Sequence, residues 1–360
     1  MWSSRRRFSG NRVVHLHIGA PKTGTTYVQN ALWHNRDGLG ERGLLYPLER
    51  PDEHFAMTMD LRRMPWADGF DPAWDGAWDR VVERVANSPA PRAVVSDELL
   101  GGATPDQIRR AVASFGDAEV HVVFTVRDLA RALPSDWQEQ VRHGHTVPYD
   151  RFVDDLITLG RDAPAPFGQM FWDLHDPMRV LPGWAEVVGP DRVHVVTVPP
   201  AGAPRDELRG RIAKVLGIAP GELKLAADAS TANTSLGAGE AELIRRLNDQ
   251  GRLPERLTWM YAGLVRLELG EWILAPRPGQ RRIVLPARHR DRITEHAHRT
   301  MAWLREAQFP VTGDLADLVP EFTDDDADGA AVSDAELLDT ALEALADLLL
   351  RLGVVQNSPG

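Results

Sequence analysis

Two constellations in this 360-residue chain have the residue types and spacing to do chemistry. The first is Gly19-Ala20-Pro21-Lys22-Thr23-Gly24-Thr25-Thr26-Tyr27, entered by an apolar run from Val13 to Ile18 and left by a helical pattern from about Thr25 to His34. A strand, glycine turn and helix in that order aim successive backbone N–H groups and a helix N-terminus at one spot, which suits a phosphate. Gly19 and Gly24 have the G-x-x-x-x-G spacing of a nucleotide-binding loop. The Lys-Ser/Thr pair that should follow is replaced by Thr25-Thr26, and the lysine lies inside the loop at position 22. Such a loop can grip a single 5′-phosphate and the group attached to it, where the usual lysine serves a β/γ-phosphate with magnesium. The second constellation is Arg127, at the end of the apolar run Val120 to Val126, with Ser135 eight residues later. A guanidinium fork with a hydroxyl donor suits a phosphate monoester.

These residues resemble the family of 3′-phosphoadenosine 5′-phosphosulfate (PAPS)-dependent sulfotransferases. Pro21 to Tyr27 is similar to the family's 5′-phosphosulfate loop, and Arg127 with Ser135 to its 3′-phosphate motif. The resemblance covers residues 13 to about 140. It implies a P-loop-type α/β fold, PAPS as co-substrate, and in-line, metal-free sulfuryl transfer to a hydroxyl or amine. Lys22, the loop amides, Thr25 and Thr26 would hold the leaving phosphate and the transferring group. Tyr27 stands where many members stack an aromatic ring on adenine; packing on the sheet is its other reading. Arg131 is a third phosphate contact or a surface charge.

Direct transfer needs a general base near the acceptor atom. The family uses His or Glu. Here the strand Ala93 to Ser96 ends in Asp97-Glu98, at the carboxyl edge where open α/β sheets place their sites. Glu98 is therefore the first candidate and His54 the second, with Glu41, Glu49 and Glu53 brought in by the family's carbohydrate-modifying branch. The sequence departs from the family pattern at Pro134, which predicts a helix that starts late or kinks. The family's basic closing loop is also missing, and Arg277 to Arg282 is the segment that could replace it. Asn233 to Gly237 resembles a segment of bacterial members and has no derivable role. Two other classes fit less well: a P-loop kinase of a small molecule or nucleotide, and a non-catalytic PAPS- or PAP-binding protein. The acceptor, a small molecule or a glycan, is not identified; tryptophans between Trp66 and Trp78 suit ring stacking or core packing equally.

The elements that must position these groups read as short continuous apolar strands alternating with helices. That pattern predicts a parallel sheet covered on both faces, a three-layer α/β domain. Strands are expected at Val13–Ile18, Ala93–Ser96, Val120–Val126 and Arg192–Val198. The domain is expected over residues 12–312, after a leader at 1–11 that reads as disordered. His15 and His17 point to one face of the first strand; His143 and His145 have too few neighbouring ligands for a metal site. Cysteine is absent, which excludes disulfides and thiolate chemistry and fits a cytoplasmic protein. No apolar run is long enough to span a membrane.

The net charge of −11 is concentrated in the tail: Asp314 to Asp347 holds twelve Asp or Glu and no Lys or Arg. The remainder is near neutrality, and nothing points to nucleic acid. Residues 313–332 read as an acidic linker. Ser333-Asp334-Ala335-Glu336 has the form of a capping box and opens a helix over 333–353, closed by Gly353. Its stripe Leu338, Leu342, Leu345, Leu349 and Leu352 should dock on the domain or form a homodimer contact.

Overall fold

The computed structural model describes residues 12–64, 70–204, 206–224, 235–254, 258–322 and 330–357, with side chains for all of these but Pro220, Trp259 and residues 352–357. The expected leader at 1–11, Trp66, Asn233-Thr234 and the acidic run at 323–329 lie outside the described residues.

The chain is α/β. Six strands form one parallel sheet in the order β2-β3-β1-β4-β5-β6. They are β1 (Val13–His17), β2 (Leu44–Leu45), β3 (Arg92–Ser96), β4 (Glu119–Val126), β5 (Val193–Thr197) and β6 (Val311–Thr312). The four longer strands are the four expected from apolar runs; β2 and β6 have two residues each and no such signal. The register sets His17 beside Ser96 of β3 and Val123 of β4. The chain leaves β1 toward β2 and β3 but leaves β4 toward β5. The order therefore reverses between β1 and β4, and ligands of open α/β sheets bind outside the carboxyl ends at such a point.

Contact clustering separates two compact units with interleaved boundaries: Met1–Leu129 with Gly160–Ala227 and Ile293–Pro320, and Ala130–Leu159 with Asp228–Arg292 and Glu321–Gly360. The expected single domain over 12–312 is thus two units. The first contains the sheet. Its helices are α1 (Thr25–Glu41), α2 (Glu53–Arg62), α3 (Ala77–Asn87), α4 (Pro105–Ala113), α7 (Phe167–His175), α8 (Pro177–Val188) and α9 (Glu207–Val215), with most of α12 (Arg290–Glu306). The core is built from alternate faces of the strands, such as Val14, Leu16, Val94, Val122, Phe124 and Val195, with Leu32, Trp78, Ile108, Trp184 and Leu304 from the helices. Residues 313–320 are not linker. Leu315 and Leu318 are buried, and the Asp317 carboxylate accepts from Thr197 Oγ1 (2.7 Å) and from the Arg211 guanidinium.

The second unit is helical: α5 (Leu129–Arg142) from Ala130 onward, α6 (Tyr149–Leu159), α10 (Ala238–Asp249), α11 (Trp259–Tyr261) running into a π-helical stretch Ala262–Leu274, and α13 (Asp334–Asn357). The Ser333 cap is present, its Oγ accepting from Glu336 N–H at 3.1 Å. The helix passes Gly353 and ends at Asn357. A glycine inside a helix costs about 1 kcal/mol and does not by itself stop it. Thr340 and Ala344 of α13 are buried within this unit, and Arg277 ties Glu240 of α10 (2.9 Å) to Glu343 of α13. Among the described residues, no helix is long and apolar enough to cross a membrane.

Candidate active site

The glycine loop runs from the carboxyl end of β1 to the start of α1, beside the reversal in strand order. It is clamped from β4. Ala20 N–H donates to the Thr125 carbonyl (2.6 Å), and Thr125 returns its N–H and its hydroxyl (2.8 Å) to the Gly19 carbonyl. Thr23, buried, donates its hydroxyl to the Ala20 carbonyl and meets the Thr125 hydroxyl. Beneath them His17 bridges the strands, with Nδ1 2.8 Å from Ser96 Oγ and Nε2 3.4 Å from Thr125 Oγ1. Burial lowers the His17 pKa to about 4. Its place is structural: a neutral ring holding β3 and β4 under the loop.

Loop conformation follows from two left-handed residues. Gly24, at φ 88°, caps α1 without a side-chain contribution, and Lys22 sits at φ 58°. A lysine in that region is strained by about 1–2 kcal/mol, and the Arg127 guanidinium stabilises it by donating to the Lys22 carbonyl at 2.9 Å. Arg127 follows the last residue of β4, as expected from the sequence. Thr25 is buried and Thr26 exposed at the start of α1, while Tyr27 is partly buried against the core. Burial raises the Tyr27 phenol, and nearby Arg209 opposes that shift.

The segment after β3 crosses in front of the loop. Asp97 is buried, and its Oδ1 accepts from Leu99 N–H at 2.9 Å, capping the turn Glu98–Gly102. Burial, then the neighbouring charge of Glu98, hold the Asp97 carboxyl well above the usual carboxylate range. Glu98 is half-buried, and Gln29 of α1 donates to its Oε2 at 3.3 Å. Gly19 explains how closely the two segments approach. A Cβ at position 19 would lie 2.9 Å from the Glu98 carbonyl oxygen, and its φ is 106°. The structure thus brings Lys22, Arg127 and Glu98 to the same sheet edge, β1 and β4 supplying the cations and β3 the acid.

The other expected residues are placed differently. His54, on α2, has its Nδ1 against the Pro51 carbonyl and stands one helical turn before Thr58, whose side chain reaches Asp97. Glu53 is held by Arg84 (2.9 Å), and Glu49 also pairs with Arg84, so both belong to a local ion cluster. Glu41 closes α1 at its far end. Ser135 lies in the second unit, donating to the Arg131 carbonyl at 2.9 Å. Helix α5 starts at Leu129, with Pro134 inside it, so the expected late start does not occur. Arg277 and Arg281 are engaged by Glu240, Glu343 and Glu336 within the second unit and do not replace a closing loop. His143 pairs with Glu139 (3.0 Å), and among the described residues no group of three or more His, Asp or Glu is arranged to hold a metal ion.

One neighbour escaped the sequence reading. His175, at the end of α7, is buried, and the Pro21 backbone and the charges of Lys22 and Arg127 act on its ring. Only its place in a Phe-Trp-Asp-Leu-His-Asp-Pro run, polar residues inside an apolar helix, could have drawn attention to it. No protein-family model matches the chain, and neither does any curated protein.

Proposed function

We propose that the protein is a sulfotransferase that moves the sulfuryl group of PAPS to a hydroxyl or amine of a small-molecule or glycan acceptor. The observation that carries this reading is the pair of cations on either side of the β1/β4 reversal: Lys22 inside a glycine loop, and Arg127 bonded to its carbonyl. Loop amides and the N-terminus of α1 offer donors to a 5′-phosphate. Lys22, Thr25 and Thr26 are assigned the leaving phosphate and the transferring group, Arg127 the 3′-phosphate, and Ser135 joins Arg127 on the sequence motif alone.

The acceptor oxygen or nitrogen attacks sulfur in line as the bond from sulfur to the 5′-phosphate oxygen breaks. Negative charge moves to that phosphate, where a fixed cation is worth most. The acceptor's proton passes to a base. Glu98 suits that role better than Asp97, which is fully buried and occupied in capping its turn; His54 remains the second candidate. The Gly19 contact fixes Glu98 against the loop, so donor and base share one rigid frame.

The deciding experiment is calorimetric titration, without magnesium, with 3′-phosphoadenosine 5′-phosphate (PAP) and separately with 5′-AMP. Tight PAP binding, weak AMP binding and loss of the difference in Arg127→Ala are expected. Equal affinity for the two nucleotides would sink the reading.

A further inference from the structure

His175 lies flat on the Phe171 ring, with centroids 4.4 Å apart and planes at 16°. Its Nδ1 is 2.9 Å from the Phe171 carbonyl oxygen. A carbonyl can only accept, so in the neutral ring Nδ1 carries the hydrogen and Nε2 a lone pair. Nε2 is buried without a full hydrogen bond and faces the backbone of Pro21, whose one polar group is also a carbonyl. Neutral imidazole therefore sets a lone pair against an acceptor. Imidazolium would satisfy both carbonyls at once.

Burial first, and then the positive charges of Lys22 and Arg127, favour the neutral ring, which charges only near pH 4. The next residue, Asp176, caps α8 through Met178 N–H and faces His296, with Arg179 and Arg299 acting on it. Asp173, on the same helix, is paired with Arg161 and Arg179. None of these groups belongs to the loop. An anion at the loop would offset the Lys22 and Arg127 charges and leave them unchanged.

We propose that His175 is a third, conditional cation of the site: an oxyanion bound at Lys22 and Arg127 draws a proton onto Nε2, which then donates to the Pro21 carbonyl and fixes the loop. The proton comes from solvent, so binding a phosphate or phosphosulfate group takes up protons. This inference rests on reading the Lys22 loop as an oxyanion site.

The test is calorimetry with PAP near pH 5.5 in two buffers of different ionisation enthalpy, on the wild-type protein and His175→Gln. Ligand protonation is common to both, so their difference isolates residue 175. Wild type should take up about half to one proton more per ligand than the variant, and only wild type should bind more tightly as pH falls from 7. Equal proton uptake in two proteins that both bind PAP would overturn the role of His175 and leave the donor site standing. If wild type ignores PAP, the donor reading fails and the comparison is repeated with inorganic pyrophosphate. No binding of pyrophosphate either would overturn both. A second readout needs no variant to bind: the imidazole C2–H resonance that disappears in His175→Gln should titrate at least about one unit higher when wild type is saturated with ligand. An unmoved midpoint would also reject the proposal.

Discussion

The Arg127 guanidinium donates to the main-chain carbonyl of Lys22 at 2.9 Å, so a side chain at the end of β4 holds the backbone of the loop after β1. One residue then serves both the loop's left-handed turn and the proposed 3′-phosphate. Lysine keeps the charge but not the planar fork that can do both. In Arg127→Lys we expect PAP affinity to fall about 10- to 100-fold, as for loss of one charge-assisted hydrogen bond of about 1.5–3 kcal/mol. AMP affinity should change far less. Titration of both nucleotides against the variant checks this, and a uniform loss would mean that Arg127 only shapes the loop.

Glu98 carries a separable role. Its carboxylate is reached by Gln29 and its backbone abuts Gly19, whereas the cations on the donor belong to other strands. Glu98→Gln preserves the shape and removes the base. Turnover with any accepted substrate should drop about 10²- to 10⁴-fold, with PAP affinity within about twofold of wild type. Unchanged turnover would move the base to His54.

Gly19→Ala should disturb donor and base together. The position requires φ 106°, and an added Cβ meets the Glu98 carbonyl at 2.9 Å. Backbone strain of about 1–3 kcal/mol plus the clash should lower the melting temperature and displace Glu98. Gly160→Ala is the control: its φ is 59° and nothing lies within 4 Å of a Cβ there. A smaller loss of stability in Gly160→Ala, with activity kept, is the expected contrast in thermal melts and assays.

What could be read from the sequence divides along physical lines. The strands that end at the loop, at Glu98 and at Arg127 are fully buried apolar runs, and burial on both faces writes itself into composition. Turn chemistry likewise placed Gly19, Lys22 and Gly24 correctly. The two-residue strands β2 and β6 carry no periodicity and depend on their neighbours. His175 resembled any histidine in a helix, because what sets it apart is the loop it lies under, more than 150 positions earlier in the chain. Arg277 and Arg281 looked free as a basic run but are consumed by acids on α10 and α13. The extent of α13 was misjudged because glycine is a common stop signal that packing overrides.

Buried histidines give a pH signature. Burial holds His15 neutral down to about pH 3, with His121 and His194 opposing its charge further, and His17 and His175 down to about 4. An unfolded imidazole binds its proton near pH 6.5, so the unfolded state takes up protons first as pH falls. Stability is therefore complete above about pH 6.5 and declines through the window from 6.5 to 4. At pH 5 each such histidine costs about 2 kcal/mol. Asp176, raised to about 6 by burial, acts in the opposite sense, as does Asp97, but they are fewer. Denaturant unfolding at pH 7, 6 and 5 should show a steep loss above the range where paired carboxylates titrate. His15→Val, which removes a buried ring with an unpartnered Nδ1, should flatten it. A flat profile down to pH 5 would contradict the buried neutral rings.

The last expectation concerns α13. Leu338, Leu342, Leu345, Leu349 and Leu350 are each more than half exposed, while Thr340 and Ala344 on the other face are buried. Four of the leucines are spaced four, three and four residues apart, and that spacing reads the same in both directions. An antiparallel second copy would set Leu338 against Leu349 and Leu342 against Leu345, with Glu336 opposite Arg351, a self-complementary contact of the kind two-fold dimers use. Each leucine offers about 100 Å², or roughly 1,000 Å² over both copies, at the lower limit of a specific interface. A weak dimer is expected, with exposed Asp339 and Asp347 flanking the stripe so that added salt tightens it. Sedimentation equilibrium should show concentration-dependent dimerisation that Leu342→Glu with Leu345→Glu abolishes at unchanged melting temperature. A wild-type protein that stays monomeric to about 100 μM, near the weak end of specific association, would mean that the stripe does not pair with its own copy.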